Sequence, residues 1–238
     1  MLWYKAWLET RSRFQISLLG IVGLCSFAVY IDDKNATPFD KADYYYHVLI
    51  SGQMLLATMW VIAVTLLMMG GLLREKASGT SSFTLALPVS RTRLMLVRIG
   101  MGLMQSVVLA IVPWSAMFLI GATVGKTHSV SLAIFLIVLL LGGGSLYFAI
   151  ALLISSLVEG EYTAPIVSYG IFVAGLILLN GQKLGPYNPW IFITGLRYLH
   201  WYPSFSAGPI PWLHIVVTLL IALVLMGISI RSIQRRDF

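Results

Sequence analysis

The stretch LAIFLIVLLL, residues 132–141, is apolar at every position. A strand of a membrane β-barrel would alternate polar and apolar residues over about ten positions. An unbroken apolar run instead predicts a helix, and about 20 such residues are enough to cross the hydrocarbon of a lipid bilayer. The uncharged sequence around this run extends from Val130 to Val158, which is long enough to span.

The composition of the whole chain predicts the same environment. Of its 238 residues, 58% are hydrophobic and 11% are charged, whereas an average soluble domain has roughly 25% charged residues. A soluble domain of this size could not bury so much apolar surface in one core, so that class of protein is excluded. The one cysteine, Cys25, excludes an intrachain disulfide and a multi-cysteine metal site.

Six stretches of the chain are long enough to span a membrane and contain no Asp, Glu, Lys or Arg. They are Phe14–Ile31, Val48–Leu73, Ile99–Gly125, Val130–Val158, Pro165–Gln182 and Trp212–Ile230. Together they cover more than half of the sequence and leave no room for a separate soluble domain. The sequence therefore predicts an all-α, polytopic membrane protein in which residues 1–238 form a single transmembrane domain.

The basic residues predict the orientation, because cytoplasmic loops carry an excess of Lys and Arg. With both termini on one side, that side has eleven of the sixteen basic residues. The other five are Lys34, Lys41, Lys126, Lys183 and Arg197. Both termini are therefore expected in the cytoplasm. The formal charge of +7 is explained by this distribution beside anionic headgroups, without a nucleic-acid partner.

Two segments outside the spans are expected to lie at the membrane surface. Residues Leu2–Arg13 fit an amphipathic interfacial helix, in which Trp3 and Trp7 share a side and Glu9 can pair with Arg13. A plain polar lead-in to the first span is the alternative.

The outer segment 183–211 contains five of the nine prolines. It predicts a helix Trp190–Tyr202 that begins after Pro189 and ends before Pro203, dipping into the outer leaflet as a re-entrant hairpin. Two alternative roles are left open for this hairpin: an exit gate for a transported molecule, or a belt of aromatic residues at the membrane surface.

The inner segment between the second and third spans carries the most information. It reads REKASGTSSFTLALPVSRTRLMLVR over residues 74–98. Gly79 allows a bend, Pro88 ends the short helix that follows, and Ser90 can cap the next helix. The result is a short helix held crosswise at the inner face, with Phe83 among its exposed apolar residues. Such a patch suits docking to a cytoplasmic partner, although the residues alone fit an ordinary basic loop equally well.

The pattern Glu75…Gly79-Thr80…Leu87-Pro88-Val89-Ser90-Arg91 resembles the inner loop of permease subunits of type-2 ABC exporters. In that family, a Glu and a Gly precede a short helix and a Pro-x-Ser-Arg turn. The layout of the chain is similar along its whole length: an amphipathic start, six spans, an outer helical hairpin between spans five and six, and the basic tail Arg235–Phe238.

The resemblance implies a permease that pairs with a second permease chain and binds two cytoplasmic ATPase subunits. Segment 74–91 would then contain the coupling helix, seated on the ATPase. By position, the expected coupling residues are Arg74, Glu75, Lys76, Gly79, Thr80, Phe83 and Arg91. The resemblance further implies export across the plasma membrane, most simply the inner membrane of a bacterium.

No residue of the chain is expected to bind a cofactor or a metal or to perform catalysis. The segment Gly121–Thr127 looks like a phosphate-binding loop, but it has three residues instead of four between its glycines. ATP and Mg²⁺ are therefore expected on the partner ATPase. An intramembrane serine protease would need Ser145 near His214, and their positions in the predicted spans differ in depth by about 10 Å.

An ion-coupled secondary transporter is the main alternative. Such carriers usually place ionisable side chains within the membrane, and the six spans contain no carboxylate. Their polar side chains are neutral: Gln53, Thr58, Thr65, Gln105, Ser145, Tyr147, Tyr169 and Asn180. A bare ion would find no compensating charge there. A lipid, an amphipathic drug or a hydrophobic peptide is the expected cargo.

Overall fold

The computed structural model describes residues 2–35, 41–68, 90–123, 129–158, 163–179, 188–200 and 206–235. These residues form seven α-helices, a 3-10 turn and one pair of very short strands. The helices are α1 (Leu2–Asn35), α2 (Lys41–Leu67), α3 (Arg91–Thr123), α4 (Val130–Leu157), α5 (Thr163–Leu179), α6 (Pro189–Thr194) and α7 (Trp212–Gln234). The strands β1 (Leu199–His200) and β2 (Ser206–Ala207) are antiparallel, with Leu199 opposite Ala207.

The helical membrane architecture expected from the sequence is confirmed. Each predicted span overlaps a long helix, and four described helices, α1, α3, α4 and α7, are apolar and long enough to cross a membrane. Two others, Ser51–Leu67 within α2 and Thr163–Leu178 within α5, are apolar but shorter. Their predicted spans, 48–73 and 165–182, extend into residues outside the described part of the chain, so the six-span count stays a prediction.

Helix α4 lies at the centre of the bundle. More than half of its most apolar stretch is buried inside the protein, against about a fifth of α1 and of α7. It contacts α2, α3, α5, α6 and α7. Because α4 is apolar all round, contacts with helices on several of its sides match its sequence. The outward faces of α1 and α7 remain apolar, as helices in contact with lipid require.

The predicted interfacial helix Leu2–Arg13 is not a separate element. It is the first third of α1, since no residue near the junction of Arg13 and Phe14 ends a helix. The Thr10 hydroxyl accepts a hydrogen bond from Gln105 Nε2 at 2.7 Å, so this part of the chain runs beside α3. At 1.5 Å per residue, α1 is about 50 Å long, well beyond the roughly 30 Å of bilayer hydrocarbon.

The helix predicted over Trp190–Tyr202 is shorter in the structure. It begins at Pro189, one residue before the predicted start, and the Trp190 N–H donates to the Asn188 side chain, which caps it. It ends at Thr194 because Gly195 has φ 70°, the left-handed conformation that commonly follows a helix. A 3-10 turn (Leu196–Tyr198) and β1 follow it, and the last two residues of the predicted helix, Trp201 and Tyr202, lie outside the described residues. Pro203, the expected end, lies outside the described residues.

Candidate functional site

Two regions of the structure bear on function. The first is the basal end of the bundle, where α2 ends and α3 begins. The second is the 188–200 segment, which comprises α6, the 3-10 turn and β1, and which packs against the middle of α4.

Six of the seven predicted coupling residues lie outside the described residues. They are Arg74, Glu75, Lys76, Gly79, Thr80 and Phe83. The seventh, Arg91, is the first residue of α3 and is half-buried. The structure does, however, describe the helix end on each side of this segment.

The start of α3 is capped as the sequence predicts. The Arg93 N–H donates to Ser90 Oγ at 3.3 Å, and the Leu94 N–H donates to the Ser90 carbonyl at 3.2 Å. The Ser90 side chain thus satisfies one of the backbone donors that a helix start leaves unpaired. In the neighbouring turn, Gln234 Nε2 donates to Thr92 Oγ1 at 2.7 Å, which joins the last residue of α7 to α3.

The end of α2 is held by an arginine of α3. Arg98 donates from its guanidinium to the Met68 carbonyl at 2.9 Å. Met68 directly follows the last residue of α2, where carbonyl groups lack partners within the helix and the helix dipole is negative. A positively charged donor is well suited to that place. The two helices on either side of residues 69–89 are therefore fastened together at the basal end.

A second hydrogen bond joins the same two helices, two turns before the end of α2. Trp60, which is 1% exposed, donates from its indole nitrogen to the Ser106 carbonyl at 2.9 Å. Ser106 in turn donates its hydroxyl to Leu103 of its own helix. Together with Arg98, this bond fixes α2 to α3 at two levels about 12 Å apart along α2.

Three consecutive glycines in α4 receive side chains from three different elements. A methyl group on Gly142 would lie 3.2 Å from Ile215 of α7, and one on Gly143 would lie 2.5 Å from Phe192 of α6. A methyl group on Gly144 would meet the ring of Trp60. The three glycines therefore permit close packing of side chains from α7, α6 and α2 on α4.

The 188–200 segment reaches deep into the bundle. Gly143 is thirteen residues from Val130, so its contact with Phe192 lies about 20 Å along α4 from the start of that helix. Ile193 is completely buried. Gln53 of α2, which is 1% exposed, donates from Nε2 to the Ile193 carbonyl at 3.3 Å.

Aromatic rings connect the segment to α5 and, through Phe172, to α4. The Phe172 ring of α5 lies 5.2 Å from the Trp190 ring and 5.2 Å from the Tyr147 ring of α4, between centroids. The Tyr198 ring lies 6.0 Å from the Phe192 ring. Burial raises the pKa of the Tyr198 hydroxyl, and the adjacent positive charge of Arg197 offsets part of that increase.

Three buried polar atoms have no hydrogen-bond partner among the described residues. They are Gln53 Oε1, Gln105 Oε1 and Trp114 Nε1. An unmatched buried polar atom costs about 1–3 kcal/mol. The two glutamines are thus alike: each is almost fully buried, and each uses its amide N–H group while its oxygen is unmatched.

The geometry does not favour a serine protease. The Ser145 hydroxyl donates to the Gly142 carbonyl of its own helix at 2.7 Å. The His214 ring lies beside the rings of Phe192 and Tyr198, at 6.2 and 6.5 Å. Ile215, next to His214, packs on Gly142, which is three residues from Ser145. Ser145 and His214 therefore differ by roughly 6 Å in their position along the bundle, less than expected. In these contacts, neither side chain faces a catalytic partner. The described residues also contain no cluster of metal-ligating side chains.

Sequence reasoning missed the contacts made by Arg98 and Gln53. Arg98 counted only as a determinant of orientation, and Gln53 as one of several neutral polar groups. The usable signal was a lone carboxamide in an otherwise apolar helix, since such a group normally finds a hydrogen-bond partner.

Comparison with known proteins identifies one family. A family model described as ABC-2 family transporter protein matches residues 10–177, which is more than two thirds of the chain. The match includes α2, α3 and α4 and the segment between α2 and α3. No curated protein matches the chain.

Proposed function

Since the chain belongs to the ABC-2 family of transporter proteins and is a membrane permease subunit of an ABC transporter, we propose that it exports an amphipathic or hydrophobic cargo. Two permease chains would form the path for the cargo, and two ATPase subunits would supply the energy from ATP bound with Mg²⁺. Family membership is the observation that carries this proposal. The cargo would be a lipid, a drug or a peptide.

Segment 74–91 is the proposed contact with the ATPase. The bond between Arg98 and the Met68 carbonyl supports this role, because it ties the end of α2 to α3, the two helices that flank the segment. A force applied to the segment would therefore act on both helices together. Glu75 and Arg91 would form charge-assisted hydrogen bonds with the partner.

The proposed topology has six spans, with both termini in the cytoplasm and the 188–200 segment entering from the outer side. The excess of basic residues on the side of the termini supports this orientation. The proposed location is the plasma membrane, most simply the inner membrane of a bacterium.

The absence of charged residues from the six predicted spans supports the proposed type of cargo. A charged cargo would lose its hydration without gaining a partner. Neutral rings such as Tyr147, Phe172 and Trp190 instead offer apolar surface with a few polar groups.

The proposal is tested by expressing the chain together with ABC ATPase subunits from the same genome and purifying the complex. We expect co-purification, and we expect ATP hydrolysis in lipid vesicles to rise with one class within a panel of lipids, drugs and peptides. Transport that an ion gradient drives without ATP would contradict the proposal and support a secondary transporter.

A further inference from the structure

The hydrogen bond from Gln53 Nε2 to the Ile193 carbonyl is unusual in its location. It joins α2 to the centre of the 188–200 segment, and both residues are almost fully buried. Ile193 directly precedes Thr194, the last residue of α6. Carbonyl groups at the end of a helix receive no hydrogen bond from the N–H groups of that helix. Gln53 therefore satisfies a group that would otherwise be unpaired in an apolar interior.

The remaining contacts of the segment with the long helices are of a different kind. Phe192 packs on Gly143, Gly195 lies against Leu136 and Leu139, and Trp190 meets Phe172. These contacts fix which groups face each other by shape, but none of them pairs a buried polar group of the segment. The bond from Gln53 differs from these contacts in being a hydrogen bond from a long helix to the backbone of the segment.

Helix α2 is itself fixed to α3. Arg98 bonds to the Met68 carbonyl at the basal end, and Trp60 bonds to the Ser106 carbonyl two turns before the end of α2. The two helices are therefore expected to move together. Gln53 is fifteen residues from Met68, so a displacement at the basal end would reach the 188–200 segment about 22 Å away.

We propose that Gln53 is the positioning residue through which α2 holds the 188–200 segment in the centre of the bundle. Displacement of the α2–α3 pair breaks the bond to Ile193 and releases the segment. The inference rests on the proposed function for the cause of that displacement, which is an ATPase acting on segment 74–91. The unmatched Gln53 Oε1 makes this arrangement easier to leave, because only half of the buried carboxamide is satisfied.

The first experiment measures the accessibility of the segment in whole cells. Cys25→Ala removes the native thiol, and Thr194→Cys places a reporter of similar size at a position that is 1% exposed. A membrane-impermeant maleimide is then added from outside. Gln53→Met keeps the length and apolar fit of the side chain but removes its hydrogen bond.

The matched control is Gln105→Met. Gln105 is equally buried and also has an unmatched oxygen, but its bond runs to Thr10. The parent is the protein with Cys25→Ala and Thr194→Cys. We expect Gln53→Met to label about fivefold faster than the parent, because the loss of one hydrogen bond changes an equilibrium by about that factor. Gln105→Met should label at the parental rate. Gln53→Asn, which keeps the amide but is one methylene too short, should behave like Gln53→Met and replaces it if that variant fails to reach the membrane.

Equal labelling of the parent and both Gln53 variants would overturn the proposal, and so would faster labelling in Gln105→Met. These outcomes do not depend on an ATPase.

A second measurement in the purified complex compares labelling with and without ATP and vanadate. We expect a nucleotide effect in the parent that is lost in Gln53→Met. If neither protein responds to nucleotide while the difference at rest persists, the proposed function fails and the role of Gln53 stands.

Discussion

At the scale of single residues, the close packing on α4 gives a direct prediction for stability. Gly144→Ala would place a methyl group within 2.6 Å of the Trp60 ring. Overpacking of this kind costs about 1–3 kcal/mol, and we expect the melting temperature in detergent to fall by roughly 5 °C.

Gly170→Ala in α5 is the control for that substitution, since nothing lies within 4 Å of the added methyl group. Alanine is the better helix former, so the melting temperature should stay the same or rise slightly. Equal losses in the two variants would show that the packing on Gly144 has no special role.

Glu75 gives a prediction about coupling. We expect Glu75→Ala to leave the protein in the membrane but to uncouple transport from ATP hydrolysis, because the carboxylate stands at the start of the proposed ATPase contact. The measurement is cargo transport per ATP hydrolysed in vesicles. Glu159→Ala is the control, as the sequence places Glu159 in the other inner loop. Unchanged coupling in Glu75→Ala would count against the role of segment 74–91.

At the scale of helices, the charged hydrogen bond at the end of α2 predicts a local loss of stability. Arg98→Met removes the donor to the Met68 carbonyl, and a hydrogen bond from a charged group contributes about 1.5–3 kcal/mol. The low end applies because Arg98 is only half-buried. Arg93→Met removes an exposed charge from the same helix and is the control. We expect thermal unfolding to shift in Arg98→Met alone, and equal shifts would contradict the inference.

The helix ends also show what the sequence could predict. The Ser90 cap and the start at Pro189 were predictable, because each depends on one residue and its neighbours. The end of α6 was misplaced because the left-handed Gly195 was overlooked in favour of a distant proline. The continuity of α1 was predictable too, because no helix-ending residue stands near Arg13, whereas the contact between Thr10 and Gln105, ninety-five residues apart in the sequence, was not.

At the scale of the whole molecule, composition alone determines the class of protein, whereas the arrangement of the helices depends on a few close contacts. The apolar faces of α4 would pack equally well against many neighbours. The glycines at positions 142–144 select which side chain approaches which face, and these pairings cannot be read from hydrophobicity. The bond from Gln53 to Ile193 likewise joins residues 140 positions apart. Long-range pairs of this kind are what the sequence could not supply.

The topology leads to a prediction for the entire chain. In the Cys25→Ala protein, single cysteines at Lys126 and Lys183 should react with an impermeant maleimide in intact cells, because both positions lie on the side poor in basic residues. A cysteine at Glu159 should react only after the cells are permeabilised. This pattern requires α5 to cross the membrane, although its described part is 17 residues long. If the cysteines at 159 and 183 reacted from the same side, α5 would not span and the six-span topology would be wrong.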